Sequence, residues 1–336
     1  MSSLITNELF QQILIEPVQR GAKDLYIVTG YASPSMVTRH FEYVAKTLKT
    51  KISIDLHVGM TGRDGLSRNN LLGMQAIPRQ SSGQNFNCSF SVKGTSNHSK
   101  VYVWCSERGP VEAFMGSNNF TQFGFGLSPL NGTHTEVSVR VDPEEAFAYV
   151  LEASKNSIGY QNTDIPNYID LFDESRSPVQ PDELDQSGNA VSNSVLLPLI
   201  QLRGESSGDT HQRSGLNWGQ REGREPNQAY IPIPSSVARS NFFPPKGVHF
   251  QVTTSDGQAF ICTVAQDGDK ALETPFDNSI LGKYIRQRLG LELGSYVSTA
   301  DLNRFGSNAV KITRFDNDSY QLNLDPGLLI SPAPTM

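Results

Sequence analysis

His98 and Lys100 stand two residues apart with Ser99 between them, and a turn reading Gly116-Ser117-Asn118-Asn119-Phe120 follows after an apolar run. In an extended chain, residues two apart share a face, so the two side chains are expected to project together. If the strand that follows His98 lies beside the strand ending at Gly116, an imidazole, an ammonium, a hydroxyl and an amide converge at one sheet end. That set suits phosphoryl transfer. The imidazole attacks phosphorus, while Lys100 and Asn119 hold the non-bridging oxygens as negative charge builds on them. Ser117 assists, or shapes its turn by bonding the backbone. Glu136, within Thr135-Glu-Val-Ser-Val139, is a candidate to orient the imidazole. The carboxylates of this region do not cluster as a magnesium nuclease requires, so no metal or other cofactor is expected.

The elements around these residues read as α/β. Leu25 to Val28 is a buried strand, and Ile52, Ile54, Leu56 and Val58 alternate as a second. Ser33-Pro34 opens a helix with Ser as cap and Pro at its first turn. Further strands are predicted at about 86–92, 101–105, 111–115 and 136–141, with helices over 7–15 and 66–77. Asp142-Pro143 caps another helix running to about 156. Helices between strands imply a layered sheet with helices on its faces.

His98-x-Lys100 followed by Gly116-Ser117-x-Asn119 resembles the phospholipase D superfamily motif, and over most of residues 1–155 the pattern is most similar to the NgoFVII and BfiI restriction endonucleases. Thr29-Gly30-Tyr31 matches the strand into Gly-Tyr with which their nuclease domain opens. The lipase-type motif carries an Asp five residues after the Lys, where this chain has Cys105. The superfamily uses two histidines, a nucleophile and a general acid. The other five (His40, His57, His134, His211, His249) have no Lys two residues on, so the resemblance implies a homodimer pooling two copies of His98 in one site. It also implies a covalent phosphohistidine and no metal requirement.

The 336 residues suit two domains. Net charge is -6 overall, but residues 1–150 carry 13 basic and 12 acidic side chains, 151–190 carry 2 and 8, and 191–336 carry 13 and 14. The acidic excess therefore sits in one middle segment, and the low global charge does not argue against a polyanionic partner. The expected division is a nuclease and dimerisation domain over 1–156, an acidic solvated linker over 157–194, and a mainly β domain over 195–336. Three widely spaced cysteines give neither a disulfide framework nor a zinc pattern. With no signal segment and no apolar run long enough to span a bilayer, the expected setting is a reduced cytoplasm, away from membranes.

In the last segment, turn-spaced strands and a helix over 278–289 suggest a small, partly open barrel. The polar stretch 213–228 combines Arg213, Asn217, Trp218, Gln220, Arg221, Arg224 and Asn227. Arg reads guanine, and Asn or Gln reads adenine, in the major groove. A second polar stretch, with Lys270, Glu273, Asp277 and Asn278, leads into the helix bearing Lys283. This resembles the B3-like recognition domain of the same enzymes, whose two arms grip the major groove. The resemblance places those arms at about 212–228 and 268–279, on double-stranded DNA. It also implies a cognate DNA methyltransferase and, in some such systems, a separate helicase-like ATPase subunit; the chain has no P-loop of its own. Two other readings stay open: a sequence-specific DNA-binding protein that does not cut, and a lipid hydrolase. Cys105, the single motif copy and the polar loop stand against the latter.

Overall fold

The computed structural model describes residues 4–81, 83–127, 135–173, 193–204, 206–316 and 318–331. The chain divides into two compact units, 1–174 and 175–336.

In the first unit the strands are β1 (Asp24–Thr29), β2 (Ser53–Val58), β3 (Leu66–Ser67), β4 (Asn85–Ser91), β5 (Val101–Ser106), β6 (Gly109–Gly116), β7 (Ser138–Val141), β8 (Ser157–Gly159) and β9 (Leu171–Phe172). Seven of them form one sheet in the order β7-β6-β5-β1-β2-β4-β8. β1, β2 and β4 run parallel, and β5 joins β1 antiparallel. β5 shows why both faces must be covered. Val101, Val103 and Cys105 pack with Ala146 and Val150 of the helix Pro143–Ala153. Trp104, on the alternate face, donates its indole N–H to Ile13 O at 2.7 Å and meets His40 of the helix Pro34–Tyr43 edge-on. A strand buried on both sides reads as a continuous apolar run, as Val101 to Cys105 does.

The segment expected to be a linker is in part built into this unit. Residues 157–173 supply β8, a helical turn Ile165–Tyr168 and β9, which pairs in parallel with β3. Ile165 and Ile169 are buried, and Lys93–Asp170 and Arg68–Asp173 ion pairs of 2.7 and 3.2 Å fasten the end of the segment. The sequence offers Tyr168, Ile169, Leu171 and Phe172 for docking against a domain; Ile169 is buried, whereas Tyr168 and Phe172 stay exposed. The acidic run beyond Asp173 lies outside the described residues.

The second unit holds β10 (Ser194–Pro198), β11 (Ile231–Pro232), β12 (His249–Thr254), β13 (Ala259–Ala265), β14 (Ala271–Glu273), β15 (Ala309–Arg314) and β16 (Ser319–Asn323). Their order is β10-β15-β16-β12-β13-β14-β11, and the two outermost strands approach one another, so the sheet nearly closes. The helix Ser279–Arg288 plugs it with Leu281, Tyr284 and Ile285 against Phe250, Val252, Phe260 and Leu322. The architecture is an α/β layered domain followed by a mainly β pseudobarrel.

Candidate active site and nucleic-acid interface

β5 and β6 pair with Val101 opposite Met115, which brings the residues before β5 beside the turn after β6. Gly116 N donates to Lys100 O at 3.1 Å, closing that end of the sheet. His98 itself precedes the strand, in residues 93–100, and is exposed, whereas Lys100 is 5% exposed. The Lys100 ammonium lies 3.1 and 3.2 Å from the two imidazole nitrogens and donates to His98 O at 2.7 Å. Burial pushes the Lys100 ammonium below its ordinary range, and the nearby Glu136 carboxylate opposes that shift.

The turn after β6 is fixed at each residue. Ser117 N donates to Val137 O at 2.9 Å, the Tyr102 hydroxyl donates to Asn118 O at 2.7 Å, and Phe120 N donates to Thr29 Oγ1 at 3.1 Å. The Ser117 hydroxyl donates to Glu136 Oε2 and accepts from Val137 N at 3.0 Å. Glu136, placed just before β7, therefore bears on Ser117 by a bond and on Lys100 by charge.

Asn119 is aimed. Its Oδ1 accepts from Tyr31 N at 3.1 Å and lies 3.4 Å from Thr29 Oγ1. With the oxygen held by the end of β1, the amide nitrogen is the end presented elsewhere, and it is a donor suited to an anion. Tyr31 meets the His98 ring edge-on at 5.9 Å, and its hydroxyl donates to Asp64 Oδ2 at 2.5 Å. Sequence reasoning noted Thr29-Gly30-Tyr31 for resemblance but missed its task, which is to seat both Asn119 and His98. Its position at the end of a buried strand facing the motif was the available signal.

Gly30 makes that seating possible. A Cβ there would stand 2.8 Å from His98 Cδ2 and 3.3 Å from Asn119 Oδ1. Gly30→Ala is expected to displace the ring while leaving the sheet intact. A 1 Å misplacement can cost about 100-fold in rate. Circular dichroism should be unchanged, and kcat should fall about 10- to 100-fold with KM little altered.

His40 and His57 are spoken for by the fold. Both are buried, which pushes each imidazole down to about 4, and His57 bridges the Ser89 and Ser91 hydroxyls at 3.0 and 3.1 Å. Among the described residues no three His, Cys, Asp or Glu side chains gather as a metal ion requires, and no helix is long and apolar enough to cross a membrane. Cys88, Cys105 and Cys262 are buried free thiols.

In the second unit the polar stretch folds around a short helical segment, Gly215–Gln220. Two of the amides expected to read bases, Asn217 and Asn227, lie inside the loop and not on its surface. Asn217 is 0% exposed; its Nδ2 donates to His211 O and Val297 O, and its Oδ1 accepts from Val297 N, all at 2.8 Å. Asn227 is buried, bonded to Glu225 Oε1 at 2.8 Å and to Gly294 N at 2.6 Å. Both amides hold the loop and face no solvent. Gln220 Nε2 is spent on Pro226 O and Gly294 O at 3.2 and 3.0 Å. Asp277 Oδ1 accepts from Ser279 N at 2.8 Å at the start of a helix, and Asn278 O accepts from Ala229 N at 3.0 Å. The second expected arm is in part β14, with Ala271 and Leu272 buried between β13 and β11.

The cations remain outside. Arg213, Arg221, Arg224 and Lys270 are exposed and Lys283 is half-buried. Arg221 Nε donates to Arg213 O at 2.6 Å. Arg224 lies 4.1 Å over the Trp218 ring and donates to Gln228 Oε1 at 3.0 Å, and Trp218 in turn packs edge-on against Tyr230. Arg286 reads in the sequence as one more cation of the helix that bears Lys283, but it is 0% exposed. Its guanidinium donates to Ser295 O at 2.8 Å, Leu216 O at 3.1 Å, Gly282 O at 3.2 Å and Asn227 O at 3.5 Å. One buried side chain thus ties the loop carrying Arg213 to Arg224 onto the helix.

Two family models match the chain. Residues 7–167 match the NgoFVII restriction endonuclease N-terminal PLD domain, and residues 193–316 match the NgoFVII C-terminal B3-like DNA-binding domain. Among solved structures, NucT from Helicobacter pylori is 13% identical with a TM-score of 0.33, over 47% of this chain and 98% of that one. Polyphosphate kinase from Porphyromonas gingivalis is 16% identical with a TM-score of 0.30, over 48% of this chain and 25% of that one. No curated protein matches the chain in sequence. With both halves matched in order, an α/β unit bearing the His98 motif followed by a pseudobarrel bearing an arginine-rich loop, the chain belongs to the NgoFVII restriction endonuclease family.

Proposed function

We propose that this nuclease is a sequence-specific endonuclease that hydrolyses duplex DNA without a metal ion, through a phosphohistidine formed in a site shared by two copies of the chain. The observation that carries the reading is the exposed His98 ring, set against a buried Lys100 and beside an Asn119 whose oxygen is already tied down. His98 attacks phosphorus, and a P–N bond forms as the P–O bond breaks. The partner subunit's His98 gives its proton to the leaving oxygen. It then takes a proton from water, whose oxygen displaces the first imidazole and releases the second product. Lys100 and Asn119 hold the non-bridging oxygens, and that charge stabilisation takes the place of a metal. Ser117, bonded to Glu136, adds a hydroxyl at the same edge. Glu136 keeps Lys100 charged and orients the imidazole through it.

The B3-like unit supplies the sequence preference through Arg213, Arg221, Arg224, Lys270 and Lys283. Trp218, Gln220, Asn217, Asn227, Asp277 and Asn278 build the surface that carries them. A cognate methyltransferase and a helicase-like ATPase subunit are the proposed companions, acting with the chain in the cytoplasm.

The test is digestion of genomic DNA in EDTA with sequencing of the ends. One recurrent motif at a fixed offset is expected, and a labelled strand should be trapped on the protein through an acid-labile, alkali-stable bond. Cleavage that depends on added magnesium would overturn the metal-free chemistry. Hydrolysis of phosphatidylcholine with DNA left intact would favour the lipid reading.

The buried Lys100 also sets a pH expectation. A lysine lowered by burial gives up its proton at a lower pH than an exposed one. The alkaline limb of kcat/KM, which reports the free enzyme, is therefore expected below the ordinary lysine range. Lys100→Arg should move that limb upward, because a guanidinium stays charged there.

A further inference from the structure

His98 is carried by a segment that belongs to neither strand nor helix, yet its ring must be held to within a fraction of an ångström for in-line attack. On one side the segment is pressed to the sheet. Asn97 N donates to Gly59 O at 2.8 Å, and Gly59 passes so close that a Cβ there would stand 2.1 Å from Asn97 O. On the other side stands Tyr149, from the helix Pro143–Ala153. Ala146 and Val150 of that helix are buried against β5, so the tyrosine starts from a fixed backbone.

The bonds around Tyr149 have one consistent direction. Asn97 Nδ2 donates to the Tyr149 hydroxyl oxygen at 2.9 Å. The Ser99 hydroxyl donates to Asn97 Oδ1, which also accepts from Ser99 N at 2.9 Å. With its proton so used, Ser99 Oγ is the acceptor in its 2.7 Å contact with the Tyr149 hydroxyl. The circuit closes: Asn97 donates to Tyr149, Tyr149 to Ser99, and Ser99 to Asn97. Each bond polarises the next, and removing any member opens the whole ring. Tyr149 is 41% exposed, so water could have satisfied its hydroxyl instead. The two residues it joins are the neighbours of His98 on either side.

We propose that Tyr149 is a positioning residue for cleavage, closing a three-membered hydrogen-bond ring that brackets His98 and fixes its imidazole for attack. The inference rests on the reading of His98 as nucleophile. Tyr149→Phe, which removes one hydroxyl, is expected to lower kcat about 10- to 100-fold, with KM for DNA and the melting temperature unchanged. Ser99→Ala should do the same. The double variant should be no worse than either single one, because each already opens the ring. An unchanged kcat in Tyr149→Phe, losses that multiply in the double variant, or a loss carried by KM would each overturn the proposal. A second readout does not depend on turnover. The His98 Cε1 resonance of the labelled full chain should be single and sharp in the unmodified protein, and broadened or doubled in Tyr149→Phe. An unaltered resonance would also overturn it. If His98→Ala still cleaves, the nucleophile reading fails, and the resonance still decides whether the ring holds the imidazole.

Discussion

Replacing His98 with alanine is expected to abolish cleavage, lowering kcat by about 10⁴-fold or more, because on the proposed mechanism the variant loses the group that forms the P–N bond. At about 1.4 kcal/mol per tenfold, that is roughly 5–6 kcal/mol of barrier. Stability should change little, since the ring is exposed and its partners are Lys100 and the edge of Tyr31. Binding to a specific duplex should persist, because the arginine-rich loop lies on the other unit. A gel-shift titration beside the cleavage assay checks both halves of the expectation. The shared-site reading adds a sharper one. Excess His98→Ala chain, mixed with the unmodified chain and left to exchange, should suppress cleavage well below simple dilution, because a mixed pair holds one ring where two are needed. Activity falling only in proportion to dilution would show that each chain cuts alone.

The second large effect is expected at Arg286, and it inverts the first. Arg286→Ala should leave the His98 motif untouched and remove DNA recognition. The guanidinium has no carboxylate partner among its hydrogen bonds; it donates to four backbone carbonyls, of Leu216, Asn227, Gly282 and Ser295. Burial lowers its pKa, with the charge of Glu225 opposing, but an arginine remains charged at any working pH. Alanine would leave a cavity and take this donor from the carbonyls of Leu216, Asn227 and Ser295, while Gly282 O keeps its place in the helix ladder. Each buried carbonyl so deprived costs about 1–3 kcal/mol. Set against a typical domain stability of about 5–15 kcal/mol, that is a large fraction. Melting should show an early transition for the pseudobarrel, and specific binding should be lost at temperatures where the first unit is still folded. Arg286→Lys should recover only part, since an ammonium cannot reach four acceptors spread around a planar fork. A variant that melts and binds normally would remove this account of the loop.

These residues also show what sequence reading can reach. His98, Lys100, Ser117 and Asn119 could be singled out from sequence because the proposed chemistry is carried by short spacings. The flanking strands followed from alternation, and once β5 and β6 pair, convergence is forced. The polar loop over 213–228 was recognisable by composition but not by which of its side chains it exposes. Asn217 and Arg221 look equally suited to a base edge in sequence, and only the fold decides that one faces Val297 and the other faces out. β14 was hidden because three residues with two apolar members carry no periodicity. The helix Thr299–Phe305 was missed although Ser298 and Asp301 spell a capping box, a signal that was there to be used. Arg286 shows the reverse case: a charged side chain on an amphipathic helix reads as solvated until its four acceptors are seen.

The stacking of Arg224 on Trp218 carries one more consequence. A long flexible side chain ordinarily surrenders much of its rotamer freedom when a ligand immobilises it, a cost of about 0.5–1.5 kcal/mol. Here the indole and Gln228 have already done the immobilising during folding. On the proposed role of Arg224 in DNA recognition, an arriving nucleotide would meet a donor that is still before contact, and the entropy it would have forfeited would be left to sharpen the choice among bases.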